Sequence, residues 1–338
     1  MASVTITDVA RHAGVSMKTV SRVMNAEPHV REEVREKVLR VARELRYRPK
    51  LSARSLAGSR SYQVGFVLSY PSPYFMYAQI GALKACHERG FHLVVEPIDL
   101  ASPNLASDME AMTNGLAVDG IILLPPTCDN ALVLDALDLA GVPYVRVAPA
   151  TAPDRGATIE VDDEGAARTI TDHLLDLGHR RIAMIRGPAG HVASVRRLEG
   201  FRKALAARGL EPEPGLMQDG AFLYRSGLEA AEKLLSLPEP PTAIFASNDE
   251  MALAVMATAQ SRGLVIPRDL SVVGFDDIAT AGMVWPGLTT MSQPMSDMGA
   301  AAAGIIISNA SRTTTGDDGV PRRFACGLVV RGSTALPR

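Results

Sequence analysis

The 338 residues carry 35 basic and 37 acidic side chains, 47% hydrophobic residues and 5% aromatics. That length holds two or three domains' worth of core, and 21% charged residues at a net charge of −2 exclude a disordered or low-complexity chain. The longest small-and-apolar run, Met298 to Ile307, is far short of the roughly 20 residues a bilayer span needs, so no membrane partner is expected. Met1 to Thr5 shows no basic segment leading into an apolar stretch, which argues against a secretory signal. Three widely spaced cysteines (Cys86, Cys128, Cys326) fit a reducing compartment and no disulfide framework. The expectation is a cytoplasmic protein.

The near-zero net charge conceals an asymmetry. Residues 1–60 hold 13 Lys/Arg against six acids, a net +7, which leaves 22 basic and 31 acidic residues, or −9, for the rest. A small basic module joined to a larger acidic body suits a nucleic-acid binder with a separate sensing or catalytic part, although a solvated basic helix has the same charge.

The local pattern decides between these. Thr5-Ile6-Thr7-Asp8 reads as a capping box in which Thr5 accepts from the backbone N–H near Asp8. A helix then runs to about Ala13, with Ile6, Val9, Ala10 and Ala13 at helical spacing. Gly14 supplies a turn with positive φ, Val15 packs inward, and Ser16 caps a second helix from Met17 to about Asn25 with Val20, Val23 and Met24 inside. A third helix spans about Arg31 to Leu45, with Val34, Val38, Val41 and Leu45 on its inner face. Two short helices across a glycine turn make a helix-turn-helix. Met17, Lys18, Ser21 and Arg22 fall on the outer face near the amino end of the second helix, which in such motifs enters the major groove. Lys18 and Arg22 suit guanine O6 and N7, Met17 a thymine methyl, and Ser16, Thr19 and Asn25 phosphate oxygens. An isolated Lys or Arg here would more simply be a solvated surface; the three-helix pattern favours DNA.

The runs Val4–Ala10, Ala13–Ser16, Thr19–Asn25, Leu45–Pro49 and Ala53–Gly58 closely resemble the lactose repressor/galactose repressor family of bacterial transcription regulators. The resemblance implies a helix-turn-helix domain over 1–48 and a hinge over 49–61 that orders on operator DNA, with Leu56 wedged between base pairs in the minor groove. It completes the expected DNA-contacting set with Thr5, His29, Tyr47, Lys50 and Ala53. Lys50 replaces the family's usual asparagine and Arg31 its usual small hydroxyl cap; both add positive charge.

Beyond Arg60 short β-branched runs alternate with helical stretches. Val64–Leu68, His92–Val95, Gly120–Leu124 and Tyr144–Val147 read as buried parallel strands, with helices over about 77–89, 105–116 and 131–139. A second series has helices over about 164–177, 194–208, 225–237 and 249–262, and strands at Ile182–Ile185, Ala243–Ala246 and Leu270–Val273. The pattern predicts α/β architecture, two lobes of parallel sheet flanked by helices, after an all-α module. Asp119–Ile122, Leu177–Ala183, Arg197–Phe201, Ser247–Ala252, Ser271–Asp277 and Leu288–Pro294 extend the resemblance over essentially the whole chain. It implies a periplasmic-binding-protein-like core over 62–338. The first lobe would be about 62–161 plus 292–325, and the second about 162–291 plus 326–338.

Ligands of open α/β sheets bind beyond the carboxyl ends of the strands. This nominates Tyr70, Ser72, Tyr74, Pro125 and Arg146 from the first lobe, Arg197, Phe222, Asn248 and Asp276 from the second, and Gln293 at a crossover. By resemblance, Arg197, Asn248 and Asp276 hold effector hydroxyls and Phe222 stacks. From the residues alone, Asp276 caps a loop or contacts the effector, and Asn248 starts a helix or contacts the effector; outside strand ends, effector contact is favoured. Arg146 is a charge in a buried strand where the family has an apolar residue. Either it reaches the cleft and favours an acidic or highly oxygenated sugar, or it pairs with Asp162 or another local acid.

No cofactor, metal or catalytic residue is expected. Cys86-His87-Glu88 do not converge on a helix, Gly187–Gly190 lacks the Lys-Ser/Thr of a phosphate loop, and no nucleophile elbow is present. The resemblance implies a homodimeric repressor, bacterial and nucleoid-associated, that binds palindromic operator DNA. Its effector would be a mono- or oligosaccharide that shifts a two-state equilibrium. The chain has no leucine heptads after Arg331, so a dimer is expected rather than a tetramer. The rival reading is a sugar carrier or sugar enzyme with an incidental basic module.

Overall fold

The computed structural model describes residues 4–24, 30–47, 60–69, 72–152, 154–310 and 320–338. Asn25, His29, Lys50, Ala53, Leu56, the rest of the expected hinge helix and Tyr70 lie outside the described residues. The chain divides into two compact units, Met1–Tyr62 and Gln63–Arg338.

In the first unit, helices α1 (Ile6–Ala13), α2 (Met17–Met24) and α3 (Glu32–Glu44) close around Val9, Ala13, Val20 and Val38, all fully buried, with Val23, Val41 and Ala42 beside them. Val34 and Leu45, expected inside, are only partly buried. Gly14 takes φ 64 and ends α1, a left-handed conformation that favours glycine. The expected capping box forms at the start of α1, between Thr5 and Asp8. The Asp8 carboxylate accepts from both the Thr5 N–H (3.0 Å) and the Thr5 hydroxyl (2.7 Å), while the Asp8 N–H donates to the Thr5 carbonyl (3.1 Å). The carboxylate is the strongest acceptor nearby and takes the hydroxyl as well. These bonds, the hydroxyl's first, hold the Asp8 carboxyl below its ordinary range.

The second unit contains two six-stranded sheets. In the first, β1 (Gln63–Leu68), β2 (His92–Pro97), β3 (Gly120–Leu123), β4 (Tyr144–Val147), β5 (Ala157–Val161) and β11 (Arg323–Phe324) lie in the order β11-β5-β4-β3-β1-β2. In the second, β6 (Ile182–Arg186), β7 (Met217–Asp219), β8 (Ala243–Ala246), β9 (Ser271–Asp276), β10 (Thr289–Ser292) and β12 (Gly327–Val329) lie in the order β12-β10-β9-β8-β6-β7. The neighbours pair in parallel except β10 with β12, which is antiparallel. The chain therefore passes between the lobes after β5, after β10 and between β11 and β12. Nearly continuous apolar strands such as β3 and β8 are buried throughout, as strands covered on both faces must be.

The flanking helices are α4 (Pro73–Glu88), α5 (Leu105–Gly115), α6 (Ala131–Ala140), α7 (Asp163–Asp176), α8 (Val192–Ala207), α9 (Tyr224–Leu235), α10 (Asp249–Ser261), α11 (Ala279–Met283) and α12 (Met295–Ala310). Helix α4 starts four residues before the expected position, because Ser72 accepts from the Tyr74 N–H (3.3 Å) and Pro73 occupies the first turn. The apolar run Met298–Ile307 is the buried middle of α12. Among the described residues no helix is long and apolar enough to cross a membrane, and no cluster of His, Cys, Asp or Glu is arranged to hold a metal ion.

Helices α4 and α12 touch backbone to backbone at two glycines. A Cβ at Gly81 would lie 1.8 Å from the Ser296 carbonyl oxygen, and one at Gly299 would lie 2.0 Å from that of Ala78. Neither neighbour is a flexible side-chain end, so the helices must part. We expect Gly299→Ala to lower stability by about 1–3 kcal/mol or more, measured as a fall in the urea midpoint; an unchanged midpoint would contradict this packing.

Candidate functional site

The outer face of α2 presents Met17, Lys18 and Arg22 to solvent, with Ser21 half-buried. Ser16 caps the helix as expected, its Oγ accepting from the Thr19 N–H at 3.1 Å. The Thr19 hydroxyl lies 2.9 Å from the same oxygen, so two of the three groups expected to meet phosphate are engaged with each other. Thr5 is exposed with its hydroxyl on Asp8, and Tyr47 packs half-buried against the helical core, where burial pushes its phenol up.

In the second unit the carboxyl ends of the two sheets face a cleft between the lobes. Ser72, Tyr74 and Pro125 line it from the first lobe and Arg197, Phe222, Asn248 and Asp276 from the second. At its centre Arg197 is 4% exposed. Its Nε donates to Asp163 Oδ1 (2.8 Å), Nη1 donates to the Ser247 carbonyl (2.6 Å), and Nη1 lies 3.8 Å from Asp276 Oδ1. The guanidinium also lies 3.6 Å from the centroid of the Phe275 ring. Burial disfavours its charge, but Asp163 and Asp276 more than offset this and hold its pKa above the ordinary value.

Asp276, at φ 115, a conformation side chains rarely adopt, lines the cleft. Its Oδ1 accepts from Gln293 Nε2 at 2.6 Å, and Gln293 Oε1 accepts from the Tyr74 hydroxyl at 3.3 Å. Burial pushes the Asp276 carboxyl well up against the pull of Arg197; burial and then the charge of Asp276 push the Tyr74 phenol well up. A chain of polar contacts thus runs from Tyr74 in one lobe through the crossover residue Gln293 to Asp276, Arg197 and Asp163 in the other.

Asn248 is a helix cap more than a free ligand: Oδ1 accepts from the Met251 N–H (3.0 Å) and Nδ2 donates to the Phe222 carbonyl (2.9 Å). The second bond holds Phe222, itself at φ 59, in the cleft wall. Asp163 and His191 also line the cleft and were not nominated from the sequence. His191 follows the carboxyl end of β6, so the strand-end rule reaches it; Asp163 looks from sequence like an ordinary first-turn helix acid. The His191 ring lies edge-on to Phe222, with centroids 5.2 Å apart.

Arg146 is a correction. It is fully buried and absent from the lining of the cleft. Its five N–H groups are all used: Nε on the Cys128 carbonyl (2.6 Å), Nη1 on those of Ala152 (2.6 Å) and Arg155 (3.2 Å), and Nη2 on Asp129 Oδ1 (2.8 Å) and the Thr151 carbonyl (2.6 Å). The partner acid is Asp129, not Asp162, and the guanidinium ties the segment after β4 onto the turn after β3. Removing it leaves carbonyls and a carboxylate without their donor. Arg146→Met is expected to cost about 3–5 kcal/mol, read as a lowered denaturation midpoint; a cost below about 1 kcal/mol would contradict the clamp.

Two parallel-sheet lobes joined by three crossovers around a polar cleft, with a helix-turn-helix unit ahead of them, define a ligand-responsive regulator built on a periplasmic-binding-type core. Residues 5–50 match the family described as bacterial regulatory proteins, lacI family, and residues 171–334 match the periplasmic binding protein-like domain. Catabolite control protein A of Priestia megaterium is 37% identical over 92% of this chain and 94% of its own length. The HTH-type transcriptional regulator CelR of Thermobifida fusca is 37% identical over 92% and 93%. Among solved structures, a CelR–cellobiose complex aligns with TM-score 0.72 at 34% identity over 98% of this chain and 99% of that one. The lac repressor dimer bound to operator and the anti-inducer ONPF aligns with TM-score 0.79 at 28% identity over 99% and 100%. The chain belongs to the lacI family of bacterial regulatory proteins.

Proposed function

We propose that this protein is a transcriptional repressor of carbohydrate-utilisation genes whose hold on operator DNA is set by a sugar in the interlobe cleft. The observation that carries this reading is the buried Arg197–Asp163–Asp276 cluster opposite Phe222. Carboxylate and guanidinium grip neighbouring hydroxyls while an aromatic face covers C–H groups. Two relatives point the same way, one named as a ribose operon repressor (33% identical over 92% of this chain) and one solved with cellobiose. The basic helix-turn-helix supports DNA as the macromolecular partner; a sugar carrier or enzyme leaves that unit without a role.

The working unit in this reading is a cytoplasmic, nucleoid-associated homodimer on a palindromic operator, with α2 of each copy in a major-groove half-site. Met76, Ile80 and Leu83, spaced along α4 and each about half exposed, and Trp285, 90% exposed, are apolar surface that a second copy would cover. Leu56 of the two copies would pry the central minor groove. Sugar binding favours one lobe orientation and releases the operator, by a coupling of about 1–3 kcal/mol.

The test is a gel shift on the region upstream of the protein's own gene cluster across salt concentrations. We expect a specific complex that outlasts nonspecific binding as salt rises. Arg22→Ala should weaken it by about 1–3 kcal/mol without abolishing nonspecific association. Binding that is nonspecific and steeply salt-dependent throughout, for wild type as for Arg22→Ala, would overturn the repressor.

A further inference from the structure

The cleft does not end at Arg197. A second compartment opens between the lobes beside the first, with Pro125, Ala148 and His191 lining both. It adds Leu100 and Pro126 from the first lobe, and Gly190 and Val192 from the second. These are mostly apolar surfaces, suited to the C–H face of a pyranose rather than to a charged group.

Its polar groups are few. Asn130 Oδ1 accepts from the Val133 N–H at 3.2 Å to cap α6, which leaves its NH2 as the available donor. The Asp129 carboxylate is spent on Arg146, on the Ala150 N–H and on the Thr151 N–H and hydroxyl, so the acid in this wall offers little to a ligand. The Arg146 clamp thus positions the wall of this compartment rather than touching a ligand itself. At the junction of the two compartments, His191 Nδ1 is buried and has no hydrogen-bond partner among the described residues. A buried polar atom without a partner is costly unless something completes it. Burial, then the charge of Arg197, lowers the His191 pKa, so the ring is neutral near pH 7 and offers a donor on one nitrogen and an acceptor on the other.

We propose that the effector is a disaccharide or longer saccharide, with one ring on the Arg197–Asp276 cluster, the next in the compartment lined by Leu100, Pro126, Gly190 and Val192, and His191 at the glycosidic junction. This rests on the carbohydrate reading above and commits it to a chain length. His191 becomes a specificity-determining residue.

The test is calorimetric titration of the full-length protein with monosaccharides and their dimers: glucose against cellobiose and maltose, galactose against lactose and melibiose, xylose against xylobiose. At least one dimer should bind about tenfold or more tighter than the sugar it is built from. Gly190→Trp places a bulky ring at the wall of the second compartment; a Cβ at this position meets no atom within 4 Å, and an unchanged denaturation midpoint checks that the variant folds. This variant should bring the dimer-to-monomer affinity ratio to about one, and His191→Ala should lower the same ratio. A monosaccharide that binds as tightly as its dimer, or a ratio that Gly190→Trp leaves intact, overturns the second subsite and leaves the repressor reading standing. If no saccharide of either length binds, the subsite and the carbohydrate reading fall together.

Discussion

A guanidinium taken out of water must be repaid by charge and hydrogen bonds, and the placement of Arg197 organises the cleft around that requirement. Its partners come from distant parts of the chain: Asp163 begins α7 directly after the first crossover, Ser247 follows β8, and Asp276 ends β9. Gln293, just past β10, ties Asp276 to Tyr74 in the other lobe. The cluster therefore sits where segments joining the lobes pass, and in the proposed function sugar hydroxyls entering it would compete with bonds that span the cleft. A second interlobe bond, from the Ala279 N–H to the Tyr77 hydroxyl (3.0 Å), lies on α4 and α11. Contacts of this kind give a small ligand a differential grip on two lobe orientations, which is what a population shift requires.

Much of this was legible in the sequence. The periods of α1 to α3, the buried runs of β1, β3 and β8, and the strand-end rule that named Arg197, Phe222 and Asp276 all rest on local physics. What escaped depends on long-range geometry. Strands β5, β7, β11 and β12 are short or half-polar and take their character from the neighbours they pair with. Asp276 and Phe222 line the cleft at positive φ, which a non-glycine sequence does not advertise. Asn248 sat at a position where a helix cap and a cleft residue look identical, and both its polar atoms went to local structure.

Arg146 shows the limit most sharply. A charge in a buried strand beside a cleft invites a ligand role, and the alternative the sequence offered, pairing with Asp162 or another local acid, is the one the structure shows, with Asp129 as the acid. The deciding facts are carbonyls of Cys128, Thr151, Ala152 and Arg155, which carry no sequence signal because every residue has one. Ala148 and Ala152, at φ 47 and φ 45, fold the segment back over the guanidinium. An unusual residue is here absorbed by the scaffold.

Binding free energies are reciprocal, so a sugar that weakens operator binding must itself bind more weakly when operator is present, by the same factor. The direct measurement is titration of the sugar into the intact protein with and without saturating operator duplex. A difference of about 5- to 150-fold, matched by the operator's own shift and lost in Arg197→Ala, is the predicted result. Equal sugar affinity in the two titrations would contradict the account.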